Sequence, residues 1–280
     1  MKIVVIGLGL IGGSVAKDLK SRIFADTIFG VDNNPVNAQL ALDLKIVDEI
    51  VTLDEGIEKS DFIIIATPVN ATISILPHIL DKISNQIVTD LGSTKEKIVD
   101  SIKKHPKRKN FVASHPMAGT EFSGPAAAIS GLFDGKTAIL CDIENNHEHA
   151  VSLVKYMYNT LNMNIIEMSA SSHDVHVAYV SHISHISSFA LALTVMDIEE
   201  DEKNIFNLAS GGFESTVRLA KSSADMWSPI FVQNNKNILT ALNNYIDKLQ
   251  ELKILIKNHN INEIHNIIVK ANRIGEILNK

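Results

Sequence analysis

The sequence predicts an α/β protein with an open, mostly parallel β-sheet in its N-terminal part and helices alone in its C-terminal part. Three observations lead to this prediction. Short apolar runs alternate with helix-length stretches through the first 169 residues, which is typical of βαβ units whose strands are buried on both faces. A glycine-rich turn follows the first run, and after Ser169 the apolar residues recur at helical spacing only.

Seven strands are expected in the N-terminal part, each a short apolar run that crossover helices join to the next. They are Lys2 to Ile6, Thr27 to Val31, Phe62 to Ala66, Gln86 to Thr89, Phe111 to Ser114, Thr137 to Leu140 and Asn164 to Met168. An open sheet of this kind binds ligands at the carboxyl ends of its strands.

The C-terminal part is expected to contain three long helices, beginning with one through Val175, Val180, Ile183 and Ile186. A second follows Ile238, Leu242, Tyr245 and Leu249, and a third runs through Ile264, Ile267, Ala271 and Leu278. We therefore expect one domain over residues 1–169 and a helical domain over residues 170–280. So much apolar surface on helices without a sheet favours a homodimer.

The composition narrows the classes of function. Of 280 residues, 45% are hydrophobic and 21% charged, and the formal net charge is -6, which disfavours nucleic acid as a partner. No run of about 18 unbroken apolar residues is evident, so no membrane span is expected. The single cysteine, Cys141, lies in an apolar run and fits a reducing cytoplasm.

The motif Gly7-Leu8-Gly9-Leu10-Ile11-Gly12 follows the first strand and opens a helical pattern. In that setting Gly7 permits the tight turn, Gly9 lets the backbone approach a pyrophosphate, and Gly12 lets helix and strand pack closely. The phosphates would lie at the helix N-terminus, near Leu10 and Ile11, where free N–H groups favour anions. The motif therefore predicts a Rossmann-type dinucleotide site.

Two further positions extend this site. Asp32 ends the second strand, 20 residues after Gly12, where a carboxylate accepts hydrogen bonds from the adenosine ribose and repels a 2′-phosphate. NAD is therefore favoured over NADP, although Asp32 also suits a simple turn before Pro35. Thr67 and Pro68 follow the strand from Phe62 and are expected near the nicotinamide.

Polar clusters after two later strands place Ser93, His115 and Glu121 in the ligand crevice. A dehydrogenase that oxidises an alcohol must remove a hydroxyl proton, and a His with an ordinary pKa of about 6.5 suits that task. His115 is therefore the predicted base. The alternatives are that His115 only caps a turn before Pro116 and that Ser93 only caps a helix, in a capping box with Glu96.

The helical part contributes a second polar group. His182 and His185 are three residues apart and share a helix face, with Ser181 beside them. Core histidines or a weak metal site are the alternatives, and two His without a third ligand make a poor site. Arg218 is isolated on an apolar stretch, which suggests either a substrate carboxylate or Glu214 as its partner.

Taken in order, these motifs resemble the prephenate dehydrogenase family over nearly the whole chain. The resemblance is carried by the glycine motif, Asp-x-Gly-Ser-x-Lys from Asp90, the segment from Ser114 to Gly124, Val-Ser-His-x-x-His from Val180, and Gly-Gly-Phe followed by Arg218 and Met-Trp. It implies NAD-dependent oxidative decarboxylation of prephenate to 4-hydroxyphenylpyruvate, in tyrosine biosynthesis.

The resemblance also implies roles for individual residues. His115 would accept the proton of the ring hydroxyl, Ser93 would bind that hydroxyl and orient His115, and Arg218 would grip the ring carboxylate. Further positions would line the substrate pocket, with Trp227 supplied by the partner subunit so that the dimer interface completes the site; they are Ser181, His182, His185, Thr120, Gly211 and Trp227. Glu121 matches a position that gates the pocket or sets its polarity.

Some features depart from the family pattern or leave alternatives open. Glu214 and Ser215 stand where many relatives have Arg-Asp, and the Pro common before Met-Trp is missing. No chorismate mutase or ACT domain is expected. The alternatives are arogenate dehydrogenase, a β-hydroxyacid or imine reductase, which would usually rely on a catalytic Lys, and a non-catalytic NAD sensor, which would not need His115, Ser93 and Arg218 together.

Overall fold

The computed structural model describes residues 1–201 and 205–278. The chain forms two compact units, Met1–Asn235 and Lys236–Lys280. The first unit holds the β-sheet and ten complete α-helices among its described residues, and the second consists of helices.

The sheet of the first unit has eight strands in the order β3-β2-β1-β4-β5-β6-β7-β8. All neighbouring strands are parallel except β6 and β7, which are antiparallel. The open, mostly parallel sheet and its seven predicted strands are confirmed; the short β3 was not predicted. The strands are β1 Lys2–Ile6, β2 Thr27–Val31, β3 Glu49–Ile50, β4 Phe62–Ile65, β5 Ile87–Asp90, β6 Phe111–Pro116, β7 Thr137–Cys141 and β8 Asn164–Met168.

Helices cover both faces of the sheet because successive strand residues point to opposite sides. Ile3 and Val5 of β1 belong to one apolar layer, and Val4 and Ile6 to the other. The helices of this unit are α1 Leu10–Ser21, α2 Pro35–Asp43, α3 Leu53–Lys59, α4 Val69–Lys82, α5 Glu96–Ser101, α6 Glu148–Thr160, α7 Ala170–Val177, α8 Ile183–Asp201, α9 Gly211–Val217 and α10 Ala224–Gln233. The core therefore holds the carboxyl ends of the strands in a fixed frame.

A π-helical turn, Ala178–His182, joins α7 to α8 and makes one continuous helical segment, as the apolar spacing predicted. Such turns are rare and occur mostly at functional sites. By length and composition only, the stretch Ala170–Glu199 is long and apolar enough to cross a membrane, although polar residues such as Ser184 and His185 interrupt its apolar run. Only 11% of its apolar window is buried.

The second unit contains α11 Asn235–Lys257, which begins at the last residue of the first unit, α12 Ile261–Asn272 and α13 Ile274–Leu278. The prediction of one continuous last helix was wrong, since the helix is interrupted at Arg273. Arg273 keeps right-handed helical backbone angles, so the interruption is a local turn between the two helices. The sheet ends at Met168 in β8, and the domain boundary expected at residue 169 stays a prediction.

Candidate active site

The glycine turn after β1 is tight at two positions and open at one. Gly7 has φ of +93°, and a Cβ there would lie 2.7 Å from the carbonyl oxygen of Ala66. A Cβ on Gly12 would lie 2.0 Å from the carbonyl oxygen of Gly7. A Cβ on Gly9 would meet no atom within 4 Å. The turn therefore requires glycine for packing at two positions and leaves open space above the third.

Helix α1 begins directly at this open position. Gly9 is its N-cap and supplies no side-chain hydrogen bond, and the first turn holds no acidic residue. Leu10 is buried and Ile11 packs against the core. The first N–H groups of α1 thus keep their capacity to bind an anion, as a pyrophosphate site requires.

Asp32 ties the end of β2 to the glycine turn. Its Oδ2 accepts a hydrogen bond from the backbone N–H of Leu8 at 2.9 Å, and its Oδ1 accepts one from Asn34 at 2.9 Å. A carboxylate has about four acceptor positions, so both oxygens keep capacity for ribose hydroxyls. The turn interpretation and the ribose interpretation are therefore compatible.

The end of β4 lies beside the same turn. The backbone of Ala66 lies close to Gly7, and Thr67 Oγ1 lies 2.9 Å from Thr72 Oγ1 of α4. Pro68 directly precedes α4. Strand order reverses between β1 and β4, so Thr67 and Pro68 lie where doubly wound sheets bind their ligands.

His115 lies within β6, opposite Ile139 of β7, rather than in a loop before Pro116. Its Nδ1 is 2.8 Å from Nε2 of His173 in α7. His173 Nδ1 in turn is 2.8 Å from Oδ1 of Asp174. Sequence reasoning missed this row of three side chains, because the contact joins strand and helix residues that are 58 positions apart.

Asp174 also explains how α5 begins. Its two carboxylate oxygens accept hydrogen bonds from the backbone N–H groups of Lys95 at 2.8 Å and Glu96 at 3.0 Å. The alternative of a capping box from Ser93 to Glu96 is therefore wrong: Lys95 is the N-cap, and the Asp174 carboxylate from another helix accepts the first N–H groups. In the described part of the chain, Ser93 makes no hydrogen bond to His115, whose Nδ1 is taken by His173.

A buried ion pair lies behind the Ser93 loop. Lys95 Nζ binds Asp90 Oδ2 and donates to the carbonyl oxygen of Ser114 at 2.7 Å, and the Lys95 and Asp90 side chains are fully buried. Asp90 Oδ2 also accepts the backbone N–H of Gly92 at 2.9 Å. The pair closes the loop that carries Ser93 and joins it to the strand that carries His115.

His182 and His185 pack around Trp227. The rings of His185 and Trp227 stack with centroids 3.5 Å apart, and His182 meets Trp227 edge-on at 5.8 Å. Asn234 Nδ2 lies 3.2 Å from His182 Nδ1 and 2.7 Å from the backbone oxygen of Asp174. Trp227, which the resemblance assigned to the partner's site, thus contacts the histidines of its own chain. Its buried indole N–H has no hydrogen-bond partner among the described residues.

Arg218 pairs with Glu121, since its Nη1 lies 3.2 Å from Glu121 Oε2. The alternative partner Glu214 was wrong. Arg218 begins a short 3-10 helix and is 52% exposed, which leaves guanidinium N–H groups accessible. Its charge contributes to lowering the pKa of His185, so the electrostatic influence of Arg218 reaches the histidines around Trp227.

Three other predicted site residues are partly buried or exposed. Ser181 is partly buried in the π-helical turn, and its backbone oxygen lies 3.1 Å from His185 Nδ1. Thr120 is partly buried and accepts the N–H of Phe122 at 3.3 Å, and Gly211 is exposed at the start of α9. No group of three or more His, Cys, Asp or Glu suited to a metal ion occurs in residues 1–201 and 205–278.

The surroundings of the histidines favour their neutral forms. Burial lowers the pKa of His115 well below its ordinary value, and the charges of His173, Lys95 and His182 lower it further. Burial likewise lowers the pKa of His182 to about 4, and that of His185 falls for the same reason. A neutral imidazole can accept a proton, so the site suits base chemistry on a polar substrate.

Comparisons with known proteins agree with this geometry. The family model "Prephenate dehydrogenase, nucleotide-binding domain" matches residues 15–167, and "Prephenate dehydrogenase, dimerization domain" matches residues 169–270. The prephenate dehydrogenase of Bacillus subtilis (strain 168) is 32% identical over 259 residues, which is 91% of this chain and 70% of that protein.

Two solved structures are similar along nearly their whole length. Prephenate dehydrogenase from Aquifex aeolicus, in complex with hydroxyphenyl propionate and NAD+, has a TM-score of 0.90 and 32% identity, covering 100% of this chain and 98% of its own. Arogenate dehydrogenase from Synechocystis has a TM-score of 0.76 and 26% identity, covering 99% and 100%. The chain belongs to the prephenate dehydrogenase family, with a nucleotide-binding domain followed by a dimerization domain.

Proposed function

We propose that this protein catalyses the NAD-dependent oxidative decarboxylation of prephenate to 4-hydroxyphenylpyruvate. The observation that carries the proposal is the position of His115, an imidazole at the end of β6 that His173 holds and whose pKa burial lowers. Membership of the family and the similarity to the Aquifex aeolicus enzyme support it.

The residues around the glycine turn fit NAD. The open space above Gly9, the uncapped start of α1 and the Asp32 carboxylate match a pyrophosphate and an adenosine ribose. Asp32 repels a 2′-phosphate, so NAD is preferred to NADP. When bound, NAD supplies the acceptor for the hydride that leaves the ring carbon bearing the hydroxyl.

In the reaction His115 is the base. As hydride leaves the ring carbon, His115 accepts the proton of the ring hydroxyl and the C–O bond gains double-bond character. The bond between the ring and its carboxylate then breaks, its electron pair makes the ring aromatic, and CO2 departs. His115 returns the proton to the phenolic oxygen, so the enzyme ends as it began. Ser93 is proposed to bind the same hydroxyl.

Arg218 is proposed to bind the ring carboxylate. The exposed part of its guanidinium would donate charge-assisted hydrogen bonds to that carboxylate. Glu121 holds Arg218 before substrate arrives. Substrate and Glu121 then share the guanidinium, which has five N–H donors. Further contacts with the substrate are proposed for Ser181, His182, His185, Thr120, Gly211 and Trp227.

We further propose that the protein works as a homodimer whose interface completes the site, while Trp227 serves the pocket of its own chain, where it packs on His182 and His185. The dimerization-domain match and the exposed apolar side chains of α8, among them Leu193 and Met196, support a dimer. The boundary proposed near residue 169 agrees with the limits of the two family models. A cytoplasmic location is proposed because the free Cys141 suits a reducing compartment.

The decisive experiment compares substrates. Purified protein with NAD and prephenate should form NADH and CO2 in equal amounts, together with 4-hydroxyphenylpyruvate. Arogenate dehydrogenase activity is the second candidate, because the Synechocystis arogenate dehydrogenase shares this fold over its whole length. Turnover of arogenate without turnover of prephenate would replace the first proposal with the second.

A further inference from the structure

Three side chains form a row that ends in a carboxylate. His115 Nδ1 meets His173 Nε2 at 2.8 Å, and His173 Nδ1 meets Asp174 Oδ1 at 2.8 Å. His173 is fully buried and Asp174 is 2% exposed. The two imidazole rings are edge-on, with centroids 5.1 Å apart, which suits a hydrogen bond in the ring planes and not stacking.

The direction of each hydrogen bond follows from Asp174. An ionised carboxylate can only accept, and Asp174 already accepts two backbone N–H groups, those of Lys95 and Glu96. The proton between Asp174 and His173 must then belong to His173 Nδ1. Neutral His173 therefore presents a bare Nε2, which can only accept, and the proton of its bond to His115 must belong to His115 Nδ1.

We propose that His173 and Asp174 are positioning residues that fix the Nδ1–H tautomer of His115, so that Nε2 is the nitrogen that takes the substrate proton. This inference rests on the base role proposed above for His115. As His115 becomes cationic, its Nδ1 proton is drawn towards His173 Nε2, and Asp174 stabilises the charge shared by the two rings. The carboxylate-imidazole logic of a catalytic triad is thereby extended by one ring.

Other charged and titratable groups face this row and set its background. Lys95 and His182 act on His115, and Lys95 and Asp90 act on His173 besides its partner Asp174. Lys95 is itself held by Asp90. These groups do not accept a hydrogen bond from His115 Nδ1, so they cannot select its tautomer.

The first test exchanges the carboxylate for an amide. In Asp174→Asn the amide N–H can donate to His173 Nδ1, which reverses both hydrogen bonds and leaves the proton on His115 Nε2. By analogy with the triad, kcat should fall by about 10²- to 10⁴-fold, while KM for prephenate and Kd for NAD change less than about twofold. His176→Gln is the matched control, since His176 lies exposed on the same helix, and its kcat should be unchanged.

Asp174→Asn also weakens the hydrogen bonds that Asp174 accepts at the start of α5. A second pair of variants therefore changes His173 and leaves Asp174 in place. His173→Gln offers an amide oxygen that can accept from His115 Nδ1, whereas His173→Phe offers none. We expect His173→Gln to keep at least tenfold more kcat than His173→Phe at equal thermal stability. Equal activity of the two variants, or wild-type kcat in His173→Phe, would overturn the proposal.

A readout that does not depend on turnover separates this inference from the proposed function. Nitrogen NMR of the histidine rings in the wild-type protein should show His115 protonated at Nδ1 and bare at Nε2, and the reverse in Asp174→Asn. If His115 of the wild-type protein is protonated at Nε2, the proposed role of His173 and Asp174 is refuted, even if prephenate is turned over. Absence of turnover with an Nδ1–H tautomer would instead refute the function and leave the geometry standing.

Discussion

Replacing Lys95 with methionine should destabilise the protein more than any other single loss of a lysine in this region. The side chain of Lys95 is fully buried, and its Nζ binds the buried Asp90 carboxylate and the carbonyl oxygen of Ser114. Methionine fills most of the same volume, so packing changes little. The variant leaves Asp90 as an uncompensated buried charge.

The expected loss follows from that charge. Removing one partner of a buried ion pair costs about 3 to 5 kcal/mol, which corresponds to a drop in Tm of about 6 to 20 °C at about 2 to 4 °C per kcal/mol for a unit of this size. Lys103→Met on the exposed surface is the control and should stay within about 0.5 kcal/mol of wild type. Denaturant unfolding measures the free energy of unfolding of both variants. The protein concentration is kept fixed, since dimerisation couples stability to concentration.

The pH dependence of the loss tests its cause. Burial raises the pKa of Asp90, and Lys95 opposes that rise. Without Lys95 the folded pKa lies further above the unfolded value, so the folded state is penalised increasingly as pH rises between the two values. The loss in Lys95→Met relative to wild type should therefore be larger at pH 8 than at pH 5, and the double variant with Asp90→Asn should recover part of it. A loss below about 1 kcal/mol, or one equal at both pH values, would refute this reasoning.

Three further predictions concern the proposed cofactor and substrate sites. Gly9→Ala should leave Tm unchanged but raise Kd for NAD, whereas Gly12→Ala should lower Tm, because only Gly12 meets backbone at 2.0 Å; equal Tm values would contradict this. Arg218→Ala should raise KM for prephenate by the factor that about 2 to 5 kcal/mol implies and spare Kd for NAD; an unchanged KM would remove Arg218 from the site. In a pH profile of kcat/KM, activity should persist as pH falls through 6.5 and decline only below it, since burial first and then neighbouring charges lower the pKa of His115; a half-maximal point at or above 6.5 would contradict that.

Most of the sheet could be predicted from the sequence because buried parallel strands are short, continuous apolar runs. The strand β3 could not, since Glu49 and Ile50 make a two-residue pairing with β2 that leaves no pattern of its own. The antiparallel direction of β7 also has no signature in the residues of β7 itself. In both cases the missing information lies in the neighbouring strand.

The proposed cofactor residues were easier to find than the groups around the base. A glycine turn between a strand and a helix is a local pattern, and so is an acidic residue at the end of the next strand. His173 and Asp174 carry no such pattern, because their partners His115 and Lys95 lie far away in the sequence. The sequence does contain one cue. His173 and Asp174 lie at helical spacing between Ala170 and Val177, so they share the buried face of α7 with those apolar residues.

The extension of β6 through Pro116 gives His115 a fixed place that a loop would not. Antiparallel pairing with β7 holds the backbone, and the alternation of the strand sends neighbouring side chains to opposite faces. Ser114 therefore enters a buried network, 2.6 Å from the hydroxyl of Tyr158, while His115 meets His173. A slip of one residue in the β6 register would exchange the two, so the network around Ser114 keeps the proposed base in position as well as filling the core.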